Sequence, residues 1–179
     1  MVCAPIVRSF LQSPPRAKRA QSILCAAGLL LAVVFVLPVT AAAAPADYHP
    51  AGRTAADDLI LTVQTDNPGG SSPTQFTIPT YPGESYNYNV DCDGDGTAEV
   101  TGATGSYTCD YATAGTYTLR IWDNTGAGTG FPRIYFNYAG DRQKVLSVDQ
   151  WGTGKWTSMA YAFAGCANLA GQAADAPDL

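Results

Sequence analysis

An acidic turn near the middle of the chain carries the residues best suited to metal chemistry. Asp91, Asp93 and Asp95 occupy alternate positions and are followed by Gly96, in the pattern D-x-D-x-D-G. Carboxylate oxygens at alternate positions of a tight turn are hard ligands of the kind that Ca²⁺ prefers. The pattern therefore predicts a partial Ca²⁺ site at Asp91, Asp93 and Asp95, and no other cofactor is suggested.

This pattern is not a complete calcium loop. An EF-hand places a bidentate glutamate at the twelfth position of its loop, which here is Gly102, and Glu99 stands at the ninth. Asp and Gly also shape turns through hydrogen bonds from side chain to backbone. The same residues are therefore open to a purely architectural interpretation.

The chain offers little for catalysis, and we predict that it is not an enzyme. Its single histidine, His49, lies in a polar spacer, where a histidine-dependent triad is not expected. The many Asp residues would allow a glycosidase-type carboxylate pair, but none stands in a context that predicts a shifted pKa. Zinc would require more Cys or His residues than the chain supplies. We therefore predict no catalytic residues.

Tyrosines are the remaining candidates for ligand contact. They are dense enough between positions 81 and 117 to form a sugar- or protein-binding face, although alternating strand tyrosines more often pack in a core or at an edge. The residues concerned are Tyr81, Tyr86, Tyr88, Tyr107, Tyr111 and Tyr117.

Residues 1–44 are typical of a cleaved secretory signal peptide with a helical apolar segment. A basic leader precedes an unbroken apolar run from Ile23 to Leu37, and four alanines from Ala41 to Ala44 supply a cleavage site. The run is short for a membrane span, which needs about 20 apolar residues. An uncleaved membrane anchor is the alternative. We expect a secreted or cell-surface protein that meets the membrane only during export.

Removal of this leader makes the remaining chain strongly acidic. Residues 45–179 keep six basic and 15 acidic residues, a net charge of −9. Such a surface repels phosphate backbones, so nucleic acid is not an expected partner.

Three cysteines remain after the leader, in a setting that favours disulfides. Cys92 and Cys109 both lie at the ends of predicted strands with a turn-rich loop between them, and we predict that they pair. Cys166 is then unpaired, either as a buried thiol or bonded to another molecule.

Composition and periodicity predict a mainly β protein. Gly, Pro, Thr and Tyr are abundant, and alternating apolar runs predict strands at 59–65, 74–78, 86–91 and 116–122, with Tyr117, Leu119 and Ile121 in the core. Further short strands are expected at 97–100, 106–111, 131–136 and 145–148. Residues 156–165 are predicted to form a short helix that ends at Gly165.

Residues 86–121 resemble the polycystic-kidney-disease (PKD) repeat, an immunoglobulin-like β-sandwich of secreted and surface proteins. The matching features are the strand and turn YNVDCDGDG at 88–96, the isolated Tyr111 and the closing strand GTYTL at 115–119. Val90 stands where the family usually carries a tryptophan, and the cysteine pair is additional.

Residues 131–179 resemble the entry to the repeats of BspA-like leucine-rich-repeat surface proteins. The matching segments are FPRIYFN at 131–137, QWG at 150–152, WTSM at 156–159 and FAGCANL at 163–169. That resemblance implies adhesion or protein contact without catalysis, and an incomplete repeat region, because one repeat unit cannot bury its own face.

The two resemblances imply an immunoglobulin/PKD-like β-sandwich followed by an incomplete leucine-rich-repeat unit. The expected organisation is signal peptide 1–44, flexible spacer 45–56, sandwich 57–123, Gly-rich linker 124–130 and repeat start 131–179. The sandwich would act as spacer or cap, and the partner would be an extracellular protein or glycan. The alternative is a carbohydrate-binding accessory module of a secreted hydrolase.

Overall fold

The computed structural model describes residues 53–171 and 173–179, so the predicted signal peptide and residues 45–52 of the spacer lie outside the described part. The described chain is mainly β, as predicted, with one short 3₁₀ turn at Ala55–Asp57. Its strands are β1 Leu59–Gln64, β2 Gln75–Ile78, β3 Tyr88–Asp91, β4 Val100–Ala103, β5 Tyr107–Asp110, β6 Thr116–Asp123, β7 Val145–Gln150 and β8 Ala170–Gly171. These residues contain no helix with the length and hydropathy of a membrane span.

The strands form two sheets. The larger has the order β4-β3-β6-β1-β7-β8, and β2 pairs with β5 in the smaller. Neighbours are antiparallel except β7 and β8, which are parallel. β1 lies between β6 and β7, and its side chains alternate between buried and half-buried, which is the pattern of a strand with one face on a core.

Side chains from both sheets share one core. Leu61, Leu119 and Ile121 from the larger sheet pack in the same cluster as Phe76 and Ile78 from the smaller one. The predicted core positions Leu119 and Ile121 on β6 are therefore confirmed, whereas Tyr117 is half-buried and packs against the edge of the core. Burial of a side chain of this size stabilises a fold by roughly 1.5–3 kcal/mol.

Strand β3 is buried on both faces, although the sequence alternates aromatic and polar residues. Asn89 and Asp91 are as inaccessible as Tyr88 and Val90. The Asn89 carbonyl oxygen accepts a hydrogen bond from the Gly102 amide at 2.9 Å. Polar side chains are tolerated in a buried strand when they are hydrogen-bonded in this way.

The predicted helix at 156–165 is wrong, because no residue of this segment is helical and residues 160–165 form turns. Tyr161 has a left-handed backbone with φ of 57°, which an α-helix does not contain. The carbonyls of Tyr161 and Ala162 accept hydrogen bonds from the amides of Asn137 and Phe136, so tertiary hydrogen bonds replace helical ones.

Two predicted strands also differ from the observed ones. The strand expected at 97–100 begins only at Val100. Residues 131–136 contribute a single bridge, between Ile134 and Thr80. Pro132 lacks the amide that a continuous ladder needs, which accounts for the second difference.

The regions 57–123 and 131–179 contribute to one sheet within the described part of the chain. Strand β7 pairs with β1, with Val63 opposite Val145 and Leu61 opposite Val148. Val145 and Val148 belong to the same core as Leu61 and Val63. The division of the chain into domains at 124–130 stays a prediction.

Candidate functional site

The acidic turn is organised by Asp91. Its Oδ1 accepts hydrogen bonds from the amides of Asp93 at 3.2 Å and Gly94 at 2.6 Å, and its Oδ2 accepts one from Gly96 at 2.9 Å. Gly94 and Gly96 have positive φ angles, which glycine adopts without steric cost. Asp91 therefore fixes the turn through backbone contacts, as the architectural interpretation expects.

Glu99 joins the three aspartates of the predicted Ca²⁺ site. One carboxylate oxygen from each of these four residues lies within 4.8 Å of the others. Glu99 also accepts a hydrogen bond from the Cys92 amide at 2.6 Å, while Asp93 and Asp95 accept from the amides of Asp95 and Thr97. The cluster could surround a small cation, but its oxygens already serve the backbone, so the Ca²⁺ site stays a prediction.

Burial shapes the electrostatics of this turn. It raises the pKa of Asp91, although three backbone amides act in the opposite direction, and it also raises the pKa of Glu99. The charged forms of both carboxylates are therefore less favoured in the folded protein than in the unfolded chain.

The predicted disulfide between Cys92 and Cys109 is present, and it lies beside the acidic turn. Cys92 follows β3 of the larger sheet and Cys109 lies in β5 of the smaller one, so the bond joins the two sheets. The Tyr111 hydroxyl donates to the Cys92 carbonyl at 2.9 Å and adds a second link.

The third cysteine, Cys166, is half-buried and has no disulfide partner within the described residues. Burial raises the pKa of its thiol to about 11. The thiolate is the reactive form of cysteine, so this thiol is poorly nucleophilic at neutral pH. His49 lies outside the described residues.

The six tyrosines do not form one exposed face. Tyr86 and Tyr88 are buried, and their hydroxyls donate to the carbonyls of Arg133 and Gly105. Tyr111 and Tyr117 stack on each other with ring centroids 3.8 Å apart. The interpretation of these tyrosines as a ligand-binding face is thus wrong for Tyr86 and Tyr88, because they complete the core.

A cleft of about 600 Å³ is lined by all three tryptophans of the chain, and we call it the tryptophan cleft. Trp122 lies near the end of β6, Trp151 directly follows β7, and Trp156 comes five residues later. The Trp151 and Trp156 rings meet edge to face with centroids 5.7 Å apart. Sequence reasoning treated Trp151 and Trp156 as motif residues and missed their convergence with Trp122.

A buried ionic network lies next to the tryptophan cleft. Asp58 is fully buried and contacts both Arg53 and Arg120, with Arg120 Nη2 at 2.8 Å. The Arg53 guanidinium also lies over the Trp122 ring, 4.6 Å from its centroid. Burial lowers the pKa of Arg53 to about 10, while the Asp57 carboxylate acts in the opposite direction, so Arg53 remains charged at neutral pH.

Two further aspartates, Asp123 and Asp57, accept hydrogen bonds from segments that line the tryptophan cleft. Asp123 accepts hydrogen bonds from the amides of Thr125, Gly128 and Gly130, which closes the Gly-rich segment 124–130 into a compact loop. Burial alone would raise the pKa of Asp123, but these bonds and the Thr125 hydroxyl together lower it. Asp57 accepts from the Thr153 hydroxyl at 2.9 Å and so joins two cleft segments.

Comparison with models of protein families, with curated proteins and with solved structures gives no match for this chain.

Proposed function

We propose that this chain is a non-enzymatic secreted or cell-surface protein that acts in adhesion or protein–protein interaction. A PKD-like β-sandwich serves as spacer and cap for leucine-rich repeats, which begin in residues 131–179. The ligand is an extracellular protein or glycan.

The observation that carries this proposal is a constant spacing between parallel partners. Ser147 pairs with Ala170 and Val148 with Gly171 in the parallel contact between β7 and β8, and Lys155 forms a parallel bridge with Asp178. In each case the partners are 23 residues apart. Successive coils of a solenoid place equivalent residues side by side in this way, and leucine-rich repeats span 20–29 residues.

Two further contacts support a coil that is built onto the sandwich. We call the segment that begins with β7 the first coil and the segment that begins with β8 the second coil. Strand β7 pairs antiparallel with β1, so the first coil starts on an existing sheet. The Asn168 side chain donates to the Gln143 carbonyl at 2.7 Å and ties the second coil to the first. A cap must cover one end of a solenoid, because its terminal units are otherwise exposed.

The disulfide supports the proposed location. Structural disulfides form and persist mainly outside the cytosol. The pairing of Cys92 with Cys109 is therefore consistent with an exported protein.

The repeat part of the proposal is tested by adding coils. The chain is extended after Leu179 with two copies of its own residues 157–179, a unit of 23 residues. We expect a higher melting temperature and more β signal in circular dichroism, because each added unit buries the face of its neighbour. The matched control carries units shortened by two residues. Equal behaviour of the two extended chains would contradict the solenoid.

The adhesive role is tested with beads coated with the exported protein. We expect these beads to adhere to cultured cells and matrix proteins several-fold more than beads coated with reduced, alkylated protein. Equal adherence of the two bead types would overturn the adhesive role and leave the solenoid architecture standing.

The alternative, a carbohydrate-binding accessory module of a secreted hydrolase, is favoured by one observation, the tryptophan cleft. A hydrolase domain encoded in the same polypeptide would separate it from the adhesin, in which further 23-residue units are expected.

A further inference from the structure

We propose that the tryptophan cleft binds a neutral saccharide. This inference deepens the proposed function and rests on it, because it gives a non-enzymatic binding protein its ligand class. A cleft of about 600 Å³ has the size of a small-molecule site, and its lining combines aromatic rings with a few polar groups.

The aromatic walls suit the apolar C–H faces of a sugar ring. Trp156 meets Trp151 at 83° and Phe131 at 87°, so the rings form a corner. One face of Trp122 is covered by Arg53. Trp151 is only half-buried and is the ring best placed to stack on a ligand.

Each charged group that lines the cleft has an ion-pair or hydrogen-bond partner within the protein. Arg53 contacts buried Asp58. Asp57 caps the 3₁₀ turn through Thr54, and Asp123 closes its own loop through three amides. Arg53 supplies one positive charge to the lining, and Asp57 and Asp123 supply two negative charges, so the cleft has a net charge of −1 and disfavours an anionic ligand.

Polar groups remain for sugar hydroxyls. The Thr125 hydroxyl donates to Asp123 and accepts from the Ala127 amide at 3.1 Å, and the Thr153 hydroxyl donates to Asp57, so each oxygen keeps a lone pair that can accept from a sugar hydroxyl. Trp156 is 5% exposed, and its indole Nε1 has no hydrogen-bond partner among the described residues. This nitrogen is itself buried, so the two threonine oxygens are the polar contacts open to a ligand.

The cleft is held in place before any ligand arrives. The Asp175 carboxylate accepts hydrogen bonds from the amides of Trp151 at 3.0 Å and Gly152 at 2.9 Å. The Trp156 amide donates to the Asp178 carbonyl at 2.8 Å. The second coil therefore positions two of the three tryptophans, and a preformed site loses less entropy on binding.

Intrinsic tryptophan fluorescence tests the proposal, since every tryptophan of the chain lines the cleft. The exported protein is titrated with neutral oligosaccharides of glucose, N-acetylglucosamine, mannose and galactose. Oligogalacturonate serves as the charged probe and Nile red as the apolar probe. We expect saturable binding of at least one neutral oligosaccharide. Binding of only the charged or only the apolar probe, or of none, would overturn the proposal.

Variants then locate the site. Trp151→Ala should raise the dissociation constant about tenfold, which corresponds to a loss of about 1.4 kcal/mol, because a stacked ring is removed. Trp151→Phe should retain most of the affinity, which distinguishes stacking from misfolding. Tyr138→Ala is the control, since Tyr138 is 67% exposed and does not line the cleft. Unchanged affinity in Trp151→Ala would overturn the assignment to this cleft.

The two proposals fail separately. A protein that binds no neutral saccharide, but still adheres on beads and gains stability from added coils, would overturn the saccharide site alone. Saccharide binding without bead adherence would favour the accessory-module alternative.

Discussion

The Asp141 carboxylate is the most heavily used buried acid among the described residues. It accepts hydrogen bonds from the amides of Ser71 and Thr77 at 2.9 and 2.7 Å, and from the Ser71 hydroxyl at 2.6 Å. Lys144 Nζ lies 3.7 Å away and donates to the Ser72 and Gln75 carbonyls. The fully buried pair joins the loop before β2 to the segment before β7 and has no part in either candidate site.

Asp141→Asn should destabilise the protein at pH 7 by about 3–5 kcal/mol, because it leaves the buried Lys144 ammonium without its counter-charge. Burial alone would raise the pKa of Asp141, but its hydrogen bonds and Lys144 lower it. An acid with a lowered folded pKa stabilises the fold above its unfolded value, and this contribution is lost as pH falls through the folded pKa.

The loss of unfolding free energy caused by Asp141→Asn should therefore be largest at pH 5–7 and decrease below about pH 4. Urea unfolding at several pH values measures it, and Asp66→Asn, at an exposed position, is the control. A deficit that stays constant down to pH 3 would contradict this account.

Asp91→Ala should also destabilise the protein, by roughly 1–3 kcal/mol, because three backbone amides lose their acceptor. For the wild-type protein, the partial Ca²⁺ site predicts a higher melting temperature in Ca²⁺ than in chelator, whereas the architectural interpretation predicts equal melting temperatures. Differential scanning calorimetry in Ca²⁺ and in chelator measures this difference. A Ca²⁺-dependent rise that disappears in Asp93→Asn would support the site, and equal melting temperatures would contradict it.

At the level of elements, the Cys92–Cys109 disulfide joins the two sheets, because Cys92 follows β3 and Cys109 lies in β5. This bond has a sequence separation of 17 and closes a loop that contains β4 and the part of the acidic turn after Asp91. Strand β4 pairs only with β3, at the edge of the larger sheet, so it depends on this connection.

The double variant Cys92→Ala/Cys109→Ala should lose about 3 kcal/mol of stability, the loop-closure entropy of a bond of this span. Hydrogen exchange should show the largest loss of protection in β4. Cys166→Ala, which removes a thiol without a disulfide partner in the described part of the chain, is the control. Free thiols at Cys92 and Cys109 in the exported protein would refute the pairing.

At the level of the whole molecule, the described residues share one core to which both sheets and the segments on either side of β7 contribute. Phe131, Trp156 and Ala162 belong to the same buried cluster as the strands of the first half. The tryptophan cleft lies where β6, the Gly-rich loop and the residues after β7 meet, so it exists only once the coil has been added to the sheet.

Export should remove residues 1–44. We expect protein recovered from the medium to begin after Ala44, as measured by amino-terminal sequencing and intact mass. Leu30→Arg, which places a charge in the apolar run, should abolish export, whereas Gln12→Arg before the run should not. A full-length product that stays with the membrane would contradict cleavage and support the anchor.

Features that depend on neighbours in sequence could be predicted without the structure. Strands β1, β2 and β6 follow from local alternation. The Cys92–Cys109 pair follows from two predicted strand ends and from the oxidising environment expected for an exported protein. The acidic turn was also evident, because its aspartates and glycines shape it from within.

Features that depend on distant contacts could not be predicted. The burial of Asn89 requires partners on β4 and at Asn124, and Asp141 reaches residues about 70 positions away. Residues 156–165 do not form a helix, because the carbonyls of Ala162 and Tyr161 accept hydrogen bonds from the distant amides of Phe136 and Asn137. The tryptophan cleft, likewise, joins residues from Arg53 to Trp156. Periodicity reports which residues prefer burial, whereas the partner of each buried group is chosen by the way the elements pack.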